Sequence, residues 1–590
     1  MLTILTMRFG RFWSYLGVVL TALLSACTQL APGQKEPPTN VVRDHPPPFL
    51  RDNKVEIPEE AKALGHFFKG RNLLIQGEFA EALVEYEAAV QADPSSAYLR
   101  FRLAALYIRK GDLERALSEA EEASRLEPKG LENHRLLAGL YSSMGQDSKG
   151  IQEYERVLSI DPNDREALLY LGSLHLKQGD YEKAVERLDQ LISLNPRSVL
   201  GHYYLGRVRA RSKLYLAAEE SYLKALELNP NSKPVLMDLA LVYELQKKDD
   251  DAIQTYQKLL KIDSKNTWAR KRLGKLYVGQ NKLDEALSQF QKLETIEADP
   301  QETRTKIGLI YYEKRDFERA IREFNLVLAA DPENDRVRYY LGSTYGEMKS
   351  YDQAMETFSR ISEKSEFFVD AHVQLAYLYD QQDQLSKAIE AVEAALEKKN
   401  DHKDILGLLA SLYRKAKDFP KAVEALQKVV DLNPKSDQAH FQLGALYDES
   451  KNKEKTVDHM KKAIELNPKN AAALNYLGYT WAEMGLYLDE AEELILRALK
   501  IHPNDGFYID SLGWVYYQRG DYKKAVKQLE RAVELANDDP IVIEHLGDAY
   551  EKVGSIDKAL EHYRKALKMS KEEEHQIRVQ EKIQRLEKRI

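Results

Sequence analysis

One side chain in 590 is a thiol, Cys27, in the stretch Leu23-Leu24-Ser25-Ala26-Cys27-Thr28-Gln29. A single cysteine makes neither an internal disulfide nor a cysteine-based zinc site, so its use must be read from its neighbours. The 13 histidines are scattered. His66, His134, His202, His372 and His440 all fall at one shared place of a 34-residue repeat, which points to packing rather than to a metal. No HExxH, GxxxxGK[ST], GxSxG or strand-borne GxGxxG is present. Acidic pairs such as Glu219-Glu220 fall on the exposed faces of helices and read as solvated surface. Neither a catalytic constellation nor a cofactor is expected, and a non-catalytic chain is the reading. A net charge of -8 argues against a general nucleic-acid binder, which would carry a basic stripe.

The residues before Cys27 explain the thiol. Arg8 and Arg11 form a positive region, and Trp13 to Leu24 is an apolar run too short to span a bilayer, which needs about 20 residues. Small residues come next, then the cysteine. Leu24-Ser25-Ala26-Cys27 resembles the lipobox of bacterial lipoproteins. The resemblance implies cleavage of residues 1–26 as a signal peptide, with Met7 as an alternative start, and acylation of Cys27 at its sulfur and its new amino terminus. Two acyl chains would anchor firmly. An aspartate after the cysteine would favour the inner membrane of a Gram-negative cell; Thr28 stands there instead, which leans towards the outer membrane facing the periplasm. An uncleaved anchor and a secretory peptide cut elsewhere are the competing readings. Residues 28–60 then hold Pro32, Pro37, Pro38, Pro46, Pro47, Pro48 and Pro58 and few large apolar residues. Such a segment buries no core, so residues 27–62 are expected to be an extended tether.

Beyond the tether the chain is periodic. Pro94, Pro128, Pro162, Pro196 and Pro230 are 34 apart, and the phase returns at Pro332, Pro434 and Pro468. Within each period two amphipathic helical patterns are broken by a turn such as Gly179-Asp180, and Asn-Pro or Asp-Pro ends the second. Each period is numbered from three residues after the preceding proline position. Place 8 is then always small: Gly70, Ala104, Ala138, Gly172, Gly206, Ala240, Gly274, Gly308, Gly342, Ala376, Ala410, Gly444, Gly478, Gly513 and Gly547. Place 20 is alanine from Ala82 to Ala559, departing at Gly150 and Thr456. Place 11 is usually Tyr, as in Tyr107, Tyr141, Tyr243, Tyr277 and Tyr311. Small residues at places 8 and 20 let paired helices approach where a larger side chain would overpack.

This pattern resembles the tetratricopeptide repeat. The resemblance implies an all-α, right-handed solenoid of about 15 helix-turn-helix repeats over residues 63–571, with a concave groove lined by each first helix. Ser264, Ala298, Glu366, Asn400 and Asn537 replace the expected proline and should loosen helix ends. One extra residue near Leu486–Leu488 shifts the phase and should bend the array. Residues 572–590, with Val579, Ile583, Leu586 and Ile590 on one face, should form a capping helix.

In such repeats places 2, 5, 9, 12 and 13 line the groove. They bring up Tyr203, Arg207 and Arg211 in the fifth repeat and Trp268, Lys271 and Lys275 in the seventh, a basic and aromatic patch suited to an acidic peptide or an anionic polysaccharide. The competing reading is an ordinary solvated charge cluster. Lys271 and Lys275 match the last helix of repeats that clamp a C-terminal carboxylate, but Met237 and Leu241 replace the other clamp residues, so that ligand is not expected. A second candidate is Tyr479, Phe507, Asp510, Trp514 and Tyr517 near the C-terminus. For these, packing against neighbouring helices is the competing reading. The chain is therefore expected to be a lipid-anchored scaffold in the cell envelope that binds protein partners in pilus, secretin or secretion assembly. One alternative is an exopolysaccharide-export component that touches glycan; another is a spacer without a dedicated ligand.

Overall fold

The computed structural model describes residues 58–536 and 539–588. Cys27, the signal segment and all of the tether before residue 58 lie outside the described residues, as do Asn537 and Ile590. The described residues form 31 helices and contain no strand. Contacts divide the chain into two compact units, Met1–Ala298 and Asp299–Ile590. In the first, helices pair in sequence from Glu59–Gln76 with Phe79–Ala92 to Thr267–Gly279 with Leu283–Glu294. In the second, pairing runs from Gln301–Glu313 with Phe317–Ala330 to Pro540–Lys552 with Ile556–Met569, and the helix Glu573–Glu587 closes the stack. The fold is an all-α solenoid. Its first helix begins at Glu59, so the last residues of the stretch expected to be tether are helical.

Small side chains hold the pairs together. All 13 alanines at place 20 are fully buried. At place 8 the glycines sit under the large residue at place 24 of the partner helix. A Cβ on Gly172 would meet Leu188 at 2.5 Å, on Gly206 Tyr222 at 2.6 Å and on Gly308 Phe324 at 2.5 Å. Stacking between pairs uses place 11. Tyr107 donates its hydroxyl to Glu87 at 2.7 Å and Tyr141 to Glu121 at 2.6 Å, each on the second helix of the preceding repeat. Tyr413 and Tyr550 do the same to Glu393 and Glu530. A cation eight places on covers the outer ring face, as Arg115 does over Tyr107 at 5.0 Å and Lys421 over Tyr413 at 5.1 Å. These contacts bury phenol against a neighbour that each pair lacks alone, so stability is shared between adjacent repeats.

Helix ends obey local chemistry. Side-chain caps open many helices; Asp164 accepts from the Ala167 N–H at 2.8 Å and Asn266 from Ala269 at 2.9 Å. The turn between paired helices needs a left-handed residue. Gly77, Gly111, Gly145, Gly179, Gly520 and Gly554 supply it near the ends of the chain, whereas Lys213, Lys247, Asn281, Arg315, Lys349, Asp383, Lys417 and Lys451 hold the same conformation in between. Where proline is missing the outcome varies. The helix Leu283–Glu294 has 12 residues and Tyr351–Ser359 has 9, but Asp249–Ile262 and Leu385–Lys398 keep 14. The extra residue near Leu486 is absorbed in the turn, where Gly485 and Tyr487 are both left-handed at φ 66° and 48°, and the pair of helices around it is retained.

Candidate partner-binding surfaces

Four of the five histidines at place 4 tie their helix to a turn or to the paired helix. His134, His202 and His440 each place Nε2 against the carbonyl of the proline six residues earlier, at 3.1, 3.0 and 3.2 Å. His66 and His134 also set Nδ1 against Glu85 and Glu153 on the paired helix, both at 2.7 Å. His372 bonds instead to the Phe368 carbonyl at 3.0 Å. Arg100 and Arg270 perform the same turn closure, to the carbonyls of Pro94 and Ser264. Among the described residues no group of three or more His, Cys, Asp or Glu is arranged to hold a metal. Glu219, expected to be solvated, is half-buried and accepts from Lys248 Nζ at 2.8 Å and Gln246 Nε2 at 2.9 Å; Glu220 is exposed.

In the fifth to seventh repeats two of the four cations of the expected basic patch, Arg207 and Lys271, are paired within the chain. Tyr203 donates to Asp238 at 3.2 Å, and Arg207 Nε lies 3.6 Å from the same carboxylate with its guanidinium 5.7 Å over the Tyr203 ring. Burial and the Asp238 charge push the Tyr203 phenol well above its ordinary value. Trp268 packs edge-on to Tyr256 at 5.7 Å, with Arg272 above it at 5.6 Å. Lys271 is paired with Glu297 at 2.7 Å. Arg211 and Lys275 are exposed. Asp238, which as neither a cation nor an aromatic does not stand out in the sequence, ties Tyr203 to the next first helix.

Near the C-terminus four of the five candidates meet. Trp514 stacks between Tyr517, at 4.6 Å and 5°, and His545, at 4.2 Å and 21°. His545 Nδ1 lies 3.0 Å from both oxygens of Asp510, and Tyr479 leans on the imidazole at 6.4 Å. Burial opposes a charge on His545, but the Asp510 carboxylate, helped by Asp548 and Glu544, more than offsets it and raises the imidazole pKa. Phe507 stays 53% exposed. These aromatics are committed to one another across successive helices, with Phe507 outside the stack.

The closing helix is matched to its neighbour by charge. Arg578, Lys582 and Arg585 stand at places 5, 9 and 12, the same places as Glu544, Asp548 and Glu551 in the repeat before. Arg578 reaches Glu544 at 2.7 Å, Lys582 reaches Asp548 at 2.5 Å, and Arg585 reaches Glu551 at 2.6 Å. Burial pushes the Glu544 carboxyl up, yet the Arg578 hydrogen bond and the Lys582 charge bring it down to about 2. Below this run of ion pairs Val579, Ile583 and Leu586 are buried.

Two clefts open where groove places carry small residues. One, of about 510 Å³, lies between Lys403–Lys415 and Asp437–Glu449, over Gly407, Ser411 and Ala445 and rimmed by Asp404, Arg414 and Gln438. The other, of about 670 Å³, lies among Gln301–Glu313, Asp335–Glu347 and Phe368–Gln381, over Ser343 and Gly346. Neither includes a residue proposed from the sequence as a partner-binding candidate. The signal that could have found them is a pair of small side chains at neighbouring groove places, Gly407 and Ser411 at places 5 and 9 and Ser343 and Gly346 at places 9 and 12.

Comparison with known proteins agrees with the repeat. Models described as tetratricopeptide repeat match residues 144–267, 370–455 and 457–506. Another of the same description matches 73–140, 245–302 and 311–367. Two further models, described as TPR repeat and tetratricopeptide repeat, match 513–554 and 542–573. A TPR repeat-containing protein of Pseudomonas aeruginosa is 45% identical over 60 residues, which is 10% of each chain. The chain thus spans about a tenth of the length of that relative. Among solved structures, a tetratricopeptide repeat protein from Parabacteroides merdae is 20% identical, covering 42% of this chain and 98% of its own, with a TM-score of 0.34. The MamA protein is 25% identical, covering 29% of this chain and 94% of its own, with a TM-score of 0.27.

Proposed function

The chain belongs to the tetratricopeptide-repeat family, and from that premise we propose that it is a non-catalytic scaffold whose first-helix face holds segments of partner proteins. The observation that carries this is the pair of clefts on the first-helix face, where Gly407 and Ser411 in one and Ser343 and Gly346 in the other leave room that other repeats fill with their own contacts. The scaffold is anchored by acyl chains on Cys27 in the cell envelope, at the outer membrane facing the periplasm, and its partners are envelope proteins of a pilus, secretin or secretion assembly. The lipobox-like Leu24-Ser25-Ala26-Cys27 supports the anchor. Among the described residues no helix is long and apolar enough to cross a membrane. The exopolysaccharide alternative drew on the cations of the fifth and seventh repeats; Arg207 and Lys271 already face carboxylates of this chain, Asp238 and Glu297, whereas Arg211 and Lys275 are exposed.

Two experiments test this. A photo-crosslinker at Ser411, inside the first cleft, should capture defined partner proteins in intact envelopes, while one at Leu216, exposed on a second helix, should not. Equal capture from both positions would remove the first-helix face from the account. Cys27→Ser should move the protein from the membrane to the soluble fraction; unchanged membrane association would remove the lipid.

A further inference from the structure

One wall of the cleft between Lys403–Lys415 and Asp437–Glu449 is held by a pair of imidazoles. His440 Nδ1 and His459 Nδ1 lie 3.0 Å apart, and His440 Nε2 lies 3.2 Å from the Pro434 carbonyl. His440 is buried and His459 half-buried. Ala439 and Phe441, on either side of His440 in sequence, line the cleft, as do Asn433 and Ser436 around the Pro434 turn. The pair therefore ties this turn and the start of one cleft helix to the helix paired with it, Lys453–Leu466.

In the first three repeats the same two places, 4 and 23, join a base to a carboxylate. His66 meets Glu85, Arg100 meets Glu119 and His134 meets Glu153, all at 2.7 Å. Here an imidazole stands in the carboxylate's place, and the bonds fix the tautomers. The Pro434 carbonyl can only accept, so His440 Nε2 carries a hydrogen and neutral His440 presents a lone pair at Nδ1. His459 then donates from Nδ1. One added proton goes to His459 Nε2 and keeps this bond. A second must go to His440 Nδ1, where two N–H groups of two cations would face each other. His440 also stands in the first turn of its helix, where the helix dipole opposes a positive charge.

Burial and then the His440 charge hold the His459 imidazole below its ordinary pKa; Asp458 opposes them and Lys455 adds to them. Tyr447 stacks on His459 at 5.5 Å, and Lys455 lies 4.9 Å over the Tyr447 ring. The charged groups of the surrounding helices are engaged elsewhere. On Phe419–Leu432, Lys421 pairs with Asp418, Lys428 with Glu424, and Asp431 accepts from Gln427. On Ala471–Met484, Glu483 takes Lys453, Tyr476 donates to Asp448 and Tyr479 leans on His545. Across the cleft Arg414 pairs with Glu449. An imidazole whose folded pKa is lowered supports the fold above its ordinary 6.5 and ceases to as the pH falls below that. The His–Glu clasps respond in the opposite sense, because a protonated imidazole bonds its carboxylate more strongly.

We propose that His440 and His459 form a proton-sensitive clasp on this cleft, closed with at most one added proton and opened by the second, so that acid loosens the wall and releases what the cleft holds. The proposal deepens the scaffold reading by giving that cleft a control, and its effect on binding rests on that reading.

The test is hydrogen exchange of the full-length protein from about pH 7.5 to about pH 5, corrected for the intrinsic pH dependence of exchange. Peptides from Asp437–Glu449 and Lys453–Leu466 should lose protection severalfold. Those from Leu131–Ser143 and Asp147–Ile160, where His134 meets Glu153, should not. His459→Gln keeps a donor that does not titrate and should flatten the loss. His459→Glu restores a carboxylate at place 23 and should abolish or reverse it. Capture by the Ser411 crosslinker should fall over the same range in the native chain and persist with His459→Glu. The clasp is overturned by the absence of any loss, by an equal loss in the His134 repeat, or by a loss that both variants leave unchanged. Capture that ignores pH, or that falls equally with His459→Glu, overturns it too. Absence of capture at every pH removes the scaffold reading instead, and the exchange profiles still decide the clasp.

Discussion

Replacing Gly172 by alanine should destabilise the protein, and the same replacement should stabilise it once Leu188 has been cut back. In the native chain the new methyl would lie 2.5 Å from Leu188 Cγ and 2.7 Å from its Cδ2, where carbon atoms rest at about 3.5–4.0 Å. Leu188 is fully buried and has no solvent to move into. Overpacking of this kind costs about 1–3 kcal/mol, while alanine in a helix interior is favoured over glycine by about 1 kcal/mol. The net expectation is a loss of about 1 kcal/mol by these two principles. Leu188→Ala alone should cost about 2–5 kcal/mol through its cavity. In that background the clash is gone and only the helical preference remains, so Gly172→Ala should now contribute about 1 kcal/mol of stability. The chain already contains this arrangement, because Ala104 and Ala120 occupy the same two places and are both fully buried. A repeat array does not unfold as one two-state unit, so the readout is hydrogen exchange in peptides covering Arg165–Gln178 and Tyr181–Leu194. An effect of one sign and size in both backgrounds would refute the claim that close approach selects the glycine.

Two further perturbations test the turns and the closing helix. Lys247, at φ 59°, occupies a left-handed turn; that conformation costs a non-glycine residue about 1–2 kcal/mol, and glycine gives back up to about 1 kcal/mol in backbone entropy. Lys247→Gly should therefore stabilise slightly, and the triple change at Lys213, Lys247 and Lys349 should slow hydrogen exchange in the helices flanking those turns; faster exchange would show that the lysine side chains contribute more than the strain costs. Glu544 has its folded pKa lowered from 4.5 to about 2, so its contribution is present above about pH 4.5 and is lost as the pH falls from there towards 2. With Arg578 55% exposed the pair is screened, and about 1–2 kcal/mol is expected of it. Protection factors for Glu573–Glu587 should drop across that window before those of the preceding repeats, and Glu544→Gln should flatten the dependence; a profile the variant leaves unchanged would assign the acid sensitivity elsewhere.

Recurrence is what makes this fold legible from its residues. Place 8 carries a small residue in every repeat and place 20 in all but one, at Thr456, because the two helices cross there, so one rule fixes the pairing. Helix ends are legible where proline marks them, but the absence of proline is not a reliable guide. Tyr351–Ser359 is cut short while Leu385–Lys398 is not, since a helix end also depends on the residues beyond it, here Ile361 turning into the core. The groove is harder to read for a different reason. A cation or aromatic weighed singly says little, because its state depends on a neighbour one repeat away. Arg207 reads as a ligand-binding cation until Asp238 takes up the facing position in the next first helix, and Trp514 reads as a hot spot until His545 stacks on it. The pairing of Glu544, Asp548 and Glu551 with Arg578, Lys582 and Arg585 is written at a spacing of 34 and needs only comparison of equivalent places. On a face built this way, a large or charged residue is usually consumed by its neighbour, and it is the missing side chain that leaves something for a partner. Gly346 and Ser343, with the exposed Tyr377 one repeat on, carry more of that message than the lysines and arginines do.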